Sequence, residues 1–171
     1  DPTDPNTFSF LTQNAAEGTN IGLELNLDAQ LNEYLNIFTR VGLLKTEIKN
    51  WKSRPDLEGR AQAHAPEKSY AFGVNWLISD KASLTIDITG KSSFYYSDSH
   101  NNKSQSYALT NFSYEYAIDN WTYSLWARNI FDEYYSIRGF YFGNEAPNFE
   151  DTLYERHGDP RHVGLSVRYD F

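Results

Sequence analysis

The last twelve residues, PRHVGLSVRYDF, alternate without a break: Val163, Leu165, Val167, Tyr169 and Phe171 are apolar, while His162, Gly164, Ser166, Arg168 and Asp170 between them are polar or small. Period-two alternation is the imprint of a strand, whose successive side chains point to opposite faces. One face of this segment is therefore greasy and the other wet. The run has about the length of 9–11 residues that a tilted strand needs to cross a bilayer, and its final outward positions are aromatic, where an interfacial girdle would sit. A soluble sandwich can use such a strand as well, but each greasy face would then need a cover.

The same pattern recurs through the chain. After a Pro-rich opening at 1–7 and a short first strand at 8–14, a tight connection at 15–19 leads to a second strand in which Ile21, Leu23, Leu25, Leu27 and Ala29 alternate with Gly22, Glu24, Asn26 and Asp28. Further strands are predicted over 34–46, 66–78, 81–95, 105–118 and 121–131, the last joined to the closing strand at 160–171 by a loop over 132–159. Phe94 is predicted to face outward with Leu84, Ile86 and Ile88. Minimal turns are expected at 30–33, 79–80 and 119–120, and long polar connections at 47–65, 97–104 and 132–159. Short turns on one side and long loops on the other is the asymmetry of outer-membrane barrels. The expected fold is all-β, a transmembrane antiparallel meander barrel of about eight strands.

Charge placement supports that reading. The inward positions hold Glu24, Asp28, Arg40, Asp87, Lys91, Glu115, Arg128 and Arg168, while the mid-strand outward positions hold essentially none. An Arg or Lys facing lipid at the midplane costs about 2–4 kcal/mol, so a lipid-facing surface sheds charge while a lumen keeps it. The mean hydropathy of −0.64 is compatible with this, because only every second strand residue meets lipid. No stretch approaches the roughly 20 apolar residues of a spanning helix. The chain opens on Asp1 and has no Met, which leads us to expect a lost N-terminus or a piece of something larger.

Several function classes drop out. A net charge of −8 and a pI near 4.9, with dispersed Lys and Arg, argue against nucleic acid. With no Cys there is no disulfide framework or thiol nucleophile. Neither a nucleophile elbow nor a phosphate loop occurs, so no enzyme activity is expected. His157 and His162 beside Glu155 and Asp159 lack a metal-ligand spacing, and no metal or cofactor is expected. The segment 132–159 is the candidate for small-molecule contact, through Tyr134, Tyr135, Arg138, Phe140, Tyr141 and Phe142: aromatic faces and a convergent charge are how a receptor mouth grips a ligand. The competing reading of the same rings is an outer interfacial girdle and loop packing.

At the seventh strand a family resemblance becomes specific. The run from Trp121 to Phe140 resembles the penultimate strand of TonB-dependent outer-membrane receptors, with Asn129-Ile130-Phe131-Asp132 followed by Glu133-Tyr134-Tyr135. Gly158-Asp159-Pro160-Arg161 and a terminal strand ending Tyr169-Asp170-Phe171 are similar to the family's end, and Asn14 with Ile21-Gly22-Leu23-Glu24 to a strand near the middle of its barrels. The resemblance implies a plug domain inside a barrel of 22 strands, of which residues 1–171 would be the C-terminal part. It implies uptake of a ferric siderophore, cobalamin, haem or carbohydrate across the bacterial outer membrane. The expected partners are the plug and N-terminal strands of the remaining receptor, TonB through that missing part only, lipid and lipopolysaccharide, and the assembly machinery. Val163, Leu165, Val167, Tyr169 and Phe171 would form the assembly signal. The alternatives are a self-standing eight-stranded barrel with a structural or adhesive role and a soluble β-sandwich.

Overall fold

The computed structural model describes residues 17–98 and 100–171. Seven strands form one antiparallel sheet: β1 (Glu17–Asn32), β2 (Leu35–Lys49), β3 (Lys68–Ser79), β4 (Ala82–Lys91), β5 (Tyr107–Ile118), β6 (Trp121–Arg128) and β9 (His162–Tyr169). Each pairs with its neighbour in that order. Between β6 and β9 the chain forms a separate two-stranded hairpin, β7 (Ser136–Gly143) with β8 (Asp151–His157). A 3-10 turn at Pro55–Leu57 lies in the connection after β2.

The register shows why these residues form this sheet. One row of cross-strand partners reads Ala29, Ile37, Val74, Ile86, Phe112, Ala127 and Val163, apolar on all seven strands. It runs from near the turn end of β1 to the loop end of β9, the stagger that strand tilt imposes on a barrel wall. A slip of one residue anywhere would send a strand's greasy set to the wet face. On this face Ile21 is 72% exposed, Leu23 67% and Leu165 70%, an apolar surface far beyond what a water-soluble protein presents. Each such side chain is worth about 1.5–3 kcal/mol when removed from water, so the face requires lipid.

At the turn end Trp121 meets Tyr169 in a tilted contact at 4.7 Å and Tyr169 meets Phe171 edge-on at 5.0 Å. Trp76 and Tyr123 belong to the same outward face, so the aromatic positions of the terminal strand lie with other rings at the turn end of that face. On the opposite face, rings lie over glycines where a side chain would collide. A Cβ on Gly73 would come within 2.2 Å of the Phe38 ring, and one on Gly164 within 2.2 Å of Trp126. Those two glycines are there for space.

Several predicted boundaries move. The strand expected at 8–14 lies outside the described residues. Residues 17–19, read as a connection, are already in β1, and β2 continues to Lys49, so the first hairpin is longer than predicted. The 16 residues of β1 rise about 50 Å, beyond the roughly 30 Å hydrocarbon, which carries the hairpin out past the membrane. Conversely β4 stops at Lys91 and β6 at Arg128. Phe94, expected outward, is buried in the loop region instead, because the chain leaves the sheet before reaching it. The segment 132–159, expected as one long loop, contains the hairpin β7–β8.

Among the described residues β1 and β9 each have one strand neighbour and do not pair with each other, so the sheet is an open barrel wall. Most of its buried apolar side chains, Ile48, Leu57, Phe94 and Tyr96, lie at or beyond the loop end. The lipid-facing sheet has no protein core of its own; the loops do.

Candidate functional site

All eight residues predicted to face the lumen share the face opposite the apolar band. Three consecutive rows run across it: Glu24, Gly42, Ser69, Lys91, Tyr107; then Asn26, Arg40, Ala71, Thr89, Leu109; then Asp28, Phe38, Gly73, Asp87, Asn111. Arg40 donates to both oxygens of Asp28 at 2.8 and 2.7 Å. Asp87 accepts from Asn111 at 2.8 Å and Glu115 from Ser124 at 3.2 Å. Arg168 pairs with Asp170 at 3.3 Å. Glu24, Lys91 and Arg128 have no ion pair among the described residues. A small closed barrel would have to neutralise these charges internally; here they line an open wall. Asp87, Asn111, Glu115, Trp126 and Arg128 border a groove of about 410 Å³ on it.

Above the sheet, three segments pack into one layer. In the first, Arg60 is the organiser. Its guanidinium donates to the carbonyls of His100 and Ser97 at 2.9 and 3.0 Å, to Asn101 Oδ1 at 2.8 Å and to Asp98 Oδ1 at 3.1 Å, and lies 4.4 Å from the Tyr95 ring centre. Its side chain is only 9% exposed, so one buried charge holds the second loop in shape. His100 is pushed below the ordinary histidine range by burial and by the positive Arg60.

The second loop in turn receives the hairpin. Tyr96 donates to Glu155 on β8 in a short hydrogen bond, and its ring fills the space that a Cβ on Gly139 would need. Burial, reinforced by the negative Glu155 it is bonded to, raises the Tyr96 hydroxyl to about 12 against the smaller opposing effect of Ser136. Tyr141 of β7 meets His100 at 5.4 Å.

The base of the hairpin is closed by Asn129. It is 4% exposed and sits at φ 49°, a left-handed conformation that Asn tolerates better than most residues. Its Oδ1 accepts from the Glu133 amide at 2.8 Å, and its Nδ2 donates to the carbonyls of Glu133 and Asp159 at 3.0 and 3.1 Å. Asp132 adds a second tie, accepting from the Arg161 amide at 2.8 Å. Both stems of the excursion are thereby pinned to one turn. That is the physical content of the Asn-Ile-Phe-Asp motif.

The six predicted ligand residues separate. Arg138, Phe140 and Phe142 lie on the hairpin face turned away from Tyr96 and are exposed. Tyr141 belongs to the other face. Tyr135 is at the base, 4.5 Å from Tyr107 and against Gly158, while the Tyr134 hydroxyl is 2.6 Å from Nε2 of His157, whose Nδ1 is 3.0 Å from Ser136 Oγ. Sequence reasoning missed Tyr154 and Arg156, which join Arg138, Phe140 and Phe142 through cross-strand pairing. The alternation in TLYERH carried that signal. Arg60 and Tyr96 were not singled out, since their partners are distant in sequence.

A polar-lined wall, an apolar outward band and a packed loop layer on one side define a section of membrane β-barrel wall. Residues 1–130 match the family model described as TonB dependent receptor-like, beta-barrel. The chain belongs to that family, one of outer-membrane receptors and transporters and not of enzymes. Its fold is similar to the ferric yersiniabactin uptake receptor FyuA from Yersinia pestis, with TM-score 0.79 and 17% identity over 92% of this chain and 24% of that one. It is similar also to the siderophore receptor PiuA from Acinetobacter baumannii, with TM-score 0.73 and 17% identity over 90% and 22%. The ferric preacinetobactin receptor BauA from the same organism gives TM-score 0.67 and 19% identity over 92% and 23%. The chain thus spans about a quarter or less of these receptors' lengths.

Proposed function

We propose that residues 1–171 are the C-terminal part of an outer-membrane receptor barrel that imports a scarce nutrient, with a ferric siderophore the best-supported ligand over cobalamin, haem or carbohydrate. A plug domain and N-terminal strands in the rest of the receptor complete the machine, and TonB acts through them. The loop layer captures the ligand, and the lumen wall meets the plug through its unpaired Glu24, Lys91 and Arg128. The observation that carries the reading is the loop layer itself: a packed and charged assembly held by Arg60, Tyr96 and Asn129 at the mouth of a polar wall. Ferric-siderophore or ferric-citrate receptors among the structural neighbours support the ligand class.

Uptake of radiolabelled ferric chelates by cells with the intact receptor, against cells whose receptor lacks 134–157, tests it. The expected result is loss of uptake with the barrel still in the outer-membrane fraction; unchanged uptake overturns the role of the loop layer. The outward residues Val163, Leu165, Val167 and Tyr169 with Phe171 serve as the assembly signal. Deleting Phe171 is expected to lower the heat-modifiable fraction of the receptor. A self-standing eight-stranded barrel is the alternative; among the described residues β1 and β9 are the two edges of the sheet, each with one strand neighbour.

A further inference from the structure

The free face of the hairpin β7–β8 carries three cross-strand rows: Arg138 opposite Arg156, Phe140 opposite Tyr154, and Phe142 opposite Thr152. The rings are close, Phe142 and Tyr154 lying 5.1 Å apart between centres, and the Arg138 guanidinium sits 4.6 Å over Phe140. The result is an exposed aromatic shelf with two cations along one end.

The arginine pair is the informative part. Like charges directly opposite across two strands destabilise a sheet. The surrounding segment is rich in carboxylates, yet none relieves this pair: Glu155 is turned to the other face, where it accepts from Tyr96, and Glu145 accepts the Tyr154 hydroxyl at 3.1 Å. Among the described residues no ion pair reaches Arg138 or Arg156. Two unneutralised guanidiniums beside three rings are arranged to meet an anion with flat apolar faces. Guanidinium forks take up anionic oxygens bidentately, and aromatic side chains stack on planar ring systems.

Resting on the uptake reading above, we propose that this face selects the ligand class: a small anionic chelate bearing aromatic rings, as in a ferric complex of catecholates, in preference to neutral trihydroxamate complexes or to non-aromatic polycarboxylates. The arginines hold the chelate's anionic oxygens and the Phe140, Phe142 and Tyr154 rings cover its aromatic faces. The acidic tip at Glu145, Glu150 and Asp151 disfavours approach of the same anion from that side, which sets its orientation toward the arginine end.

The test is equilibrium binding by the purified full receptor to three probes: a ferric tris(catecholate), ferric citrate and a ferric trihydroxamate. The expected result is tightest binding of the catecholate, weakened about tenfold or more by Arg138→Gln or Arg156→Gln and about three- to tenfold by Phe140→Leu. Both arginine changes remove a repulsion, so heat-modifiable migration should be unaltered and a failed fold is not an outcome to expect. Tightest binding of the trihydroxamate, or catecholate binding indifferent to both arginine variants, overturns the inference while leaving the uptake reading standing. Equal binding of citrate and catecholate, sensitive to arginine but not to Phe140→Leu, overturns the aromatic half. Binding of none of the three overturns the siderophore reading itself.

Discussion

Replacing Asn129 by Ala isolates the turn that closes the base of the hairpin. The change removes three side-chain hydrogen bonds, of 2.8, 3.0 and 3.1 Å, and leaves the Glu133 amide and the Glu133 and Asp159 carbonyls to find other partners beside a site that is 4% exposed. At about 1 kcal/mol per bond, with part recovered by water, and about 1 kcal/mol because Ala tolerates φ 49° less well than Asn, the docked hairpin should lose roughly 2–4 kcal/mol. Asn129→Gly separates the two contributions: it relieves the backbone but still loses the bonds, so it should recover about a quarter to a third of the loss. Hydrogen exchange on the receptor in membranes reads the effect directly. Amides over 133–159 should exchange roughly 30-fold to several hundredfold faster in the Ala variant, while those of β3, β4 and β5 stay protected. Unchanged protection over 133–159, or equal loss throughout the barrel strands, would refute the latch.

Three other outcomes follow from the same geometry. Arg60→Ala should open residues 97–101 to protease cleavage without altering barrel migration, since it deletes four donated bonds and a cation–π contact from one buried group. Docking of the hairpin should weaken as pH rises from about 10, where an unfolded tyrosine ionises, to about 12, where folded Tyr96 does; over that window the undocked state sheds a proton that the docked state keeps, and Tyr96→Phe should lessen the loss of hairpin protection once base-catalysed intrinsic exchange is divided out. Leu125→Arg, placed between Tyr114 and Leu165 on the lipid face, should cost about 2–4 kcal/mol in urea titration of vesicle-embedded receptor, whereas charge at lumen-facing Ser124 should cost far less.

The barrel wall was legible because its signal is local. Lipid on one side and a wet lumen on the other force a two-residue period on each strand, and short turns against long connections give the side of the membrane. The alternation ends where the membrane ends, and prediction degrades at the same place. Phe94 continues the apolar parity of Ile86 and Ile88 in the sequence but belongs to the loop core, since β4 has already stopped at Lys91. The hairpin within 132–159 is not evident from the sequence, because its alternation is broken by Gly139 and Gly143 and by a bulge between Ser136 and Arg138.

The sequence by itself determined the strands of the wall from β1 to β6 and β9, its two-faced character and the shared parity of the eight charged positions opposite the apolar band. Each of these depends on neighbours a few residues apart or on a repeated pattern. Tertiary structure alone decided the mouth. Arg60 reaches Asp98 across 38 positions and Tyr96 reaches Glu155 across 59, while Arg138 faces Arg156 only once the hairpin has closed. Buried charges and packed rings take their partners from whatever the fold brings within a few ångströms, and no local period records that choice.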